Sequence, residues 1–351
     1  MSDDGDESAV RNDRDGPNAV GVKLGSARTV LDLPDGRGGR ERRSTLTCLA
    51  TSDDATGDDE VLFGREAAIE CPDTVRFMLR SGLPEDDESV ADAARFFEAV
   101  VDDHDVPADG AVVYAVPAVD DETGVKNLES VIAGSSIGGV ETRSYPESLC
   151  GAIPAYGDGL AAVDEVFVSI NMGSTTLEAC AYRRGEQLSP FSTDSVSGNE
   201  VDRRIVAAVE AESRGRVHVD RTTAREYKEE HADVYDFEPF TDVIQRPGGG
   251  SHEFTVDRGV REPVDRYVDE AVDAVADEFL PELANDHAKP YQLALGRPVA
   301  VTGGMACIPG LTEAFEKRLS AELARDVEVV SPDDPATAAA EGAGRIAERL
   351  I

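Results

Sequence analysis

The sequence predicts an α/β protein of two similar halves, each a mixed β-sheet with flanking helices, and three observations carry that reading. VGVKLG followed by ARTVLDL reads as two strands joined at Gly25-Ser26. The same strand, turn, strand pattern returns 148 residues later in SINMGSTTLEACA, laying Lys23 on Asn171, Gly25 on Gly173 and Ser26 on Ser174. A third glycine turn, Gly303-Gly304, closes the apolar strand RPVAVTGG. A pattern repeated at a domain-sized offset marks an internal duplication, and 351 residues are enough to bury two cores.

Taken in order, residues 1–18 are too polar and acidic to bury anything and read as a disordered leader. The first domain is placed at 19–159, with a small insert at about 35–85 where Gly, Arg and Asp surround the strand-like STLTCLA. FGREAAIE starts a helix. Apolar residues at helical spacing between Val75 and His104 make Phe77, Met78, Ala93, Phe96, Phe97 and Val100 core candidates. AVVYAVPA is a buried strand, NLESVIAGSSI an amphipathic helix, and ETRSYPESLCGAIPAYG a short strand running into a further helix. The second domain is placed at 160–351. It holds an insert at about 196–258 with the helices EVDRRIVAAVEAE and TTAREYKEEHADV and a hairpin turn at Pro247-Gly248-Gly249-Gly250, then a helix from about Pro263 to Leu283, and a last helix at about 335–351.

Composition narrows the setting. The formal charge of -37 arises from 71 acidic against 34 basic residues, of which five are lysine and 29 arginine. An acid excess spread along the whole chain fits a protein kept soluble in concentrated salt, where self-repulsion is screened. No basic stripe exists to neutralise phosphates of a duplex, so nucleic acid is not expected as a partner. Five scattered cysteines without a CxxC pair suit a reducing cytoplasm. No apolar run approaches the length that spans a bilayer, and the acidic leader has no apolar face to anchor it.

Chemistry points to the glycine turns. Backbone N–H groups presented in a tight turn bind phosphate oxygens well. Gly25, Ser26 and Ala27 on one side and Gly173, Ser174 and Thr175 on the other are therefore the candidate phosphate cradles, two turns able to hold one polyphosphate from both sides. Gly303 and Gly304 with Met305, between an apolar strand and a helix, suit close approach to a ribose or flat ring.

Together these segments resemble the actin, Hsp70 and sugar kinase superfamily over residues 19–351, most nearly the MreB-like proteins and the haloarchaeal actin homologues of the salactin and volactin type. GVKLGSARTVL resembles the first phosphate hairpin, SINMGSTTLEA the second, VTGGMACIPGL the adenosine turn, and PESLCGAIPAYG and PDDPATAAAEGAGRIAE the two helices connecting the domains. The resemblance implies two ribonuclease H-like domains in a four-subdomain architecture, with ATP or GTP in the cleft between them. It places Gly198, Glu200, Asp202, Arg225, Lys228 and Glu229 as nucleoside contacts and Glu147 as the carboxylate orienting the attacking water. It further implies magnesium, yet Lys23 and Asn171 stand where most relatives carry the two aspartates that hold its hydration shell. A weakened magnesium site and slow hydrolysis follow.

This superfamily serves several functions. The sequence as given ends at Ile351, just after the second connecting helix, with no substrate-binding domain of the Hsp70 kind, and no aspartate base faces an acceptor pocket as in a sugar kinase. The expectation is a cytoplasmic, nucleotide-dependent filament protein whose main partner is itself, serving cell shape or intracellular positioning. The alternative is a monomeric actin-fold kinase or a non-hydrolysing nucleotide-binding regulator.

Overall fold

The computed structural model describes residues 18–53, 59–118, 121–139, 141–157, 159–245 and 251–351. The leader up to residue 17 and the hairpin turn at 247–250 lie outside the described residues. In the first half, β1 (Ala19–Leu24), β2 (Arg28–Pro34) and β3 (Arg40–Leu46) run antiparallel in sequence. β4 (Leu49–Asp53) and β5 (Asp59–Phe63) form a separate hairpin that leads into α1 (Gly64–Glu70). Then come α2 (Asp87–Asp103), β6 (Ala111–Val116), α3 (Glu122–Gly134), β7 (Thr142–Pro146) and α4 (Glu147–Ala155). β6 pairs parallel with both β1 and β7, so the sheet has the order β3-β2-β1-β6-β7.

The second half repeats this plan. β8 (Val166–Met172), β9 (Leu177–Arg183) and β10 (Glu186–Thr193) are antiparallel. α5 (Gly198–Glu212), α6 (Arg221–His231) and the hairpin of β11 (Phe240–Gln245) and β12 (Ser251–Val256) follow. α7 (Arg261–Asp273) continues through a π-helical turn, Ala274–Phe279, into α8 (Leu280–Asp286), and α9 (Ala288–Ala294) precedes β13 (Val299–Thr302). α10 (Leu311–Glu322), β14 (Val329–Val330) and α11 (Ala338–Ala347) close the chain. The sheet order is β10-β9-β8-β13-β14, with β13 parallel to β8 and β14. The two hairpins share one register: Leu24 opposes Thr29 in the first, and Met172 opposes Leu177 in the second.

Each sheet has its own core. Val20, Val22, Leu31, Val112 and Tyr114 pack with Phe96, Phe97 and Val100 of α2 and Leu128 and Val131 of α3. Deleting a buried phenylalanine ring such as Phe97 costs about 3–5 kcal/mol. The second core joins Val168, Ile170, Ile205, Tyr267, Val268, Val301 and Phe315.

Two readings from sequence are corrected here. The helical spacing begins at Asp87 rather than Val75, because Asp86 and Ser89 form a capping box and the preceding stretch contains Pro84 and two positive-φ residues, Ser81 and Gly82. Met78 is buried as expected, but Phe77 is 46% exposed. The excursion after Asp35 holds more strand than was read, since RERRSTL forms β3. Its charged residues hide the strand pattern because β3 is a sheet edge with Arg42 and Arg43 turned outward.

Between the sheets run α4 and α11. Cys150 and Ile153 of α4 pack with Ala339, Ala343 and Ile346 of α11 against Ala19, Val113 and Ala115 of the first sheet. Leu149 and Ala152 turn instead to Phe167, Tyr182 and Ala300 of the second. One nine-residue helix thus shows an apolar face to each sheet. α11 lies so close that a methyl group at Gly21 would strike Ala340 and Gly344, and one at Gly342 would strike the Cys150 carbonyl. Small residues alone permit this approach. From β3, Arg40 reaches Glu348 and the buried Asp32, whose carboxyl is pushed up to about 6 by burial despite the guanidinium.

Candidate functional site

The turn after β1 and the turn after β8 meet across the gap between the sheets, where Ser26 Oγ lies 3.2 Å from Thr175 Oγ1. Each turn is closed by its own backbone bond: Gly25 N–H donates to the Arg28 carbonyl at 3.2 Å, and Gly173 N–H to the Thr176 carbonyl at 2.9 Å. The N–H groups of Gly198 and Asn199, at the start of α5, donate to the carbonyls of Gly173 and Ser174, which fixes the second turn against that helix. Gly82 N–H donates to Ser26 Oγ at 2.6 Å and holds the first. The turns border a cavity of about 350 Å³, a volume suited to a small-molecule ligand.

The floor beneath the turns is built by residues distant in sequence. Glu147, the first residue of α4, is buried, and its Oε1 takes the Lys23 ammonium at 2.6 Å and the Asn171 amide N–H at 2.9 Å. The two residues that align in the repeat therefore converge on one carboxylate oxygen. Beside them Glu178, almost fully buried, accepts from Ala118 N–H at 3.0 Å and from the Thr176 hydroxyl at 3.2 Å. Burial, reinforced by the neighbouring Glu147 charge, pushes the Glu178 carboxyl up to about 7.

The far wall comes from the second half. Gly198, Arg225, Lys228 and Glu229 line it together with Gly304 and Met305. A methyl group at Gly304 would touch nothing within 4 Å, so that backbone is open to the cavity. Lys228 is buried with its ammonium 2.5 Å from Asp202 and 3.1 Å from the Gly198 carbonyl, and burial holds its pKa below the usual lysine range. Across the mouth, Arg28 of the first half pairs with Glu229 of the second at 2.9 Å, and the Arg225 guanidinium lies 5.6 Å from the Phe77 ring centroid.

A family model described as Salactin matches residues 17–351. The chain belongs to the salactin family. A curated relative named Salactin, from Halobacterium salinarum, is 55% identical over 358 residues, covering 100% of this chain and 99% of its own. Among solved structures, this salactin-family chain is similar to MreB5 of Spiroplasma citri bound to ADP, with a TM-score of 0.74, 16% identity, and coverage of 95% and 98% of the two chains. It is likewise similar to a MamK double helical filament, with a TM-score of 0.73, 20% identity, and coverage of 95% and 99%. These likenesses establish the actin-like fold.

Of the residues singled out from sequence, Lys23, Gly25, Ser26, Ala27, Glu147, Asn171, Gly173, Ser174, Thr175, Gly198, Arg225, Lys228, Glu229, Gly304 and Met305 all line this one cavity of the salactin-family protein. Glu200, Asp202 and Gly303 do not. Glu200 pairs with Arg203 and Arg204 of α5, and Arg204 pairs in turn with Glu270 of α7. Asp202 lies under the wall, where it holds Lys228. Gly303, at φ +95°, is packed against Met172 and Asn171, so its lack of a side chain serves strand contact. Sequence reasoning passed over Arg28, Glu178 and Asn199, which also line the cavity. Glu178 had one available signal, an acid placed inside the otherwise apolar strand LEACAY.

Because the Glu178 pKa is raised in the folded chain from an ordinary 4.5 to about 7, its contribution to stability is fully present below 4.5 and is lost as pH rises through about 7. The thermal midpoint of the protein minus that of Glu178→Gln is therefore expected to fall between pH 5 and pH 8. A difference that stays flat across that range would contradict this assignment. Asp32 titrates in both proteins, so the difference isolates Glu178.

The donor set does not fit a magnesium ion held by the protein. Magnesium takes carboxylate and water oxygens in near-octahedral array. Here the floor presents an ammonium on Glu147, a neutral amide at Asn171 and a carboxyl at Glu178 whose oxygens already accept protein hydrogen bonds. Among the described residues no group of three or more His, Cys, Asp or Glu side chains is placed to hold a metal ion. None of the described helices is long and apolar enough to cross a membrane.

Proposed function

We propose that this protein is a nucleotide-dependent cytoskeletal filament protein, binding ATP or GTP in the cleft between its halves and polymerising head to tail. The observation that carries the nucleotide reading is the pair of phosphate-type turns, in one register, meeting over a single cavity. The N–H groups of Ser26, Ala27, Ser174 and Thr175 then serve the phosphates, and Met305 with the wall from α5 and α6 serves the nucleoside. Similarity to MreB5 bound to ADP supports the site, and similarity to a MamK double helical filament supports self-association. A heterologous contact that does not close generates an open filament. Cell shape or intracellular positioning is the role we assign.

Hydrolysis, in this reading, needs mainly positioning and charge stabilisation. Glu147 is held in one orientation by Lys23 and Asn171, so its carboxylate can orient a water beneath the turns. The ammonium and the amide both occupy the same carboxylate oxygen, which leaves fewer sites for a water and makes turnover slow. That same ion pair favours a second reading, a nucleotide-binding regulator that does not hydrolyse.

Sedimentation in molar potassium chloride, with and without ATP, GTP and magnesium, and with released phosphate assayed in the same tubes, separates these readings. Nucleotide-dependent pelleting is expected. Protein that stays in the supernatant at every concentration would remove the filament reading, and pelleting without any phosphate release would favour a filament protein that does not hydrolyse.

A further inference from the structure

We propose that Lys23 is a built-in counter-ion for the polyphosphate in this cleft, so that nucleotide is bound without a divalent metal. The inference rests on the reading of the cleft as a nucleotide site and adds what neutralises the phosphates there.

Among the described residues four cationic side chains line the cavity, each paired with a carboxylate, and three of them stand on its wall or at its mouth. Lys228 and Arg225 lie against Asp202, and Arg28 is paired with Glu229 at the mouth. Lys23 alone stands on the floor. Its side chain folds under the first turn, with Cε 3.2 Å from where a Cβ would stand on Gly25, and remains 15% exposed. Through the shared Glu147 oxygen it reaches the position of Asn171, which occupies the matching place under the second turn. The Lys23 ammonium thus lies beneath both turns, paired with Glu147.

The same geometry works against a metal. A divalent ion brought to Glu147 would meet the ammonium already bound there, and like charges at that separation repel strongly in a buried setting. Glu178, the other floor carboxylate, has its oxygens occupied by Ala118 and Thr176. An ammonium is a compact point charge with three rotatable donors. It can keep Glu147 and still donate to a phosphate oxygen.

The test measures binding of a fluorescent ATP analogue to the full chain in molar potassium chloride, once with magnesium and once with EDTA. The wild-type dissociation constant is expected to change by less than about threefold between the two conditions, whereas a magnesium-dependent site changes by about tenfold or more. Lys23→Asp is expected to bind with magnesium and to weaken by about tenfold or more in EDTA. Lys23→Arg, which keeps the charge, is expected to remain insensitive to EDTA. Wild-type binding that collapses in EDTA would overturn the proposal while leaving the nucleotide site intact. No binding under either condition would instead overturn the nucleotide reading and the proposal with it.

Discussion

Replacing Glu147 by glutamine is expected to slow phosphate release by about a hundredfold or more, the usual share of a positioned general base. The amide keeps the shape and can still accept the Asn171 hydrogen bond, so the floor is not expected to collapse. What disappears is the negative charge that both orients water and holds Lys23. Nucleotide affinity is therefore expected to be retained or raised, because the freed ammonium can turn wholly to the phosphates. Single-turnover phosphate release beside equilibrium binding separates the two effects. Unchanged release would remove Glu147 from the chemistry, and lost binding would make it a structural prop of the cleft.

Replacing Gly342 by valine is expected to be the most damaging single change in the scaffold. A side chain there runs into the Cys150 carbonyl, on the helix that faces both sheets. Neither helix can move aside, since α11 is also in backbone contact with Gly21 of β1. Overpacking of a rigid contact costs about 1–3 kcal/mol and more where backbone blocks relaxation. Thermal melts in molar potassium chloride should show a large drop in midpoint, or no folded protein. Gly134→Ala is the control: nothing lies within 4 Å of its added carbon, and alanine at a compatible site typically adds about 0.4–1 kcal/mol. Equal midpoints for Gly342→Val and the parent chain would show that the helix crossing is looser than the structure has it.

These two expectations rest on different kinds of information. Gly25 and Gly173 were legible as turns because a hairpin is local: alternation of apolar residues on either side of a glycine turn needs only a dozen consecutive positions to be recognised. The offset between the copies then revealed two halves, and the shared strand order bears that out. Glu147 was legible through resemblance, by its place at the start of a helix. Phe77 was misplaced because apolar residues can match a helical period by accident where Pro84 and Gly82 forbid the helix.

By itself, then, the sequence determined the two hairpins, the apolar faces of α2 and α3, and the list of turns that could meet a phosphate, since short-range hydrogen bonding and side-chain periodicity are written in neighbouring residues. Only the tertiary structure decided that Lys23, Glu147 and Asn171 converge on one oxygen, that Arg28 reaches Glu229, and that Glu178 lines the cavity while Glu200 is tied to Arg203 and Arg204 instead. With 71 acidic residues spread along the chain, no local pattern separates the buried carboxylates from the solvated ones. That choice is made by the way α4 and α11 set one sheet against the other, and by the cost of burying a charge that finds no partner there.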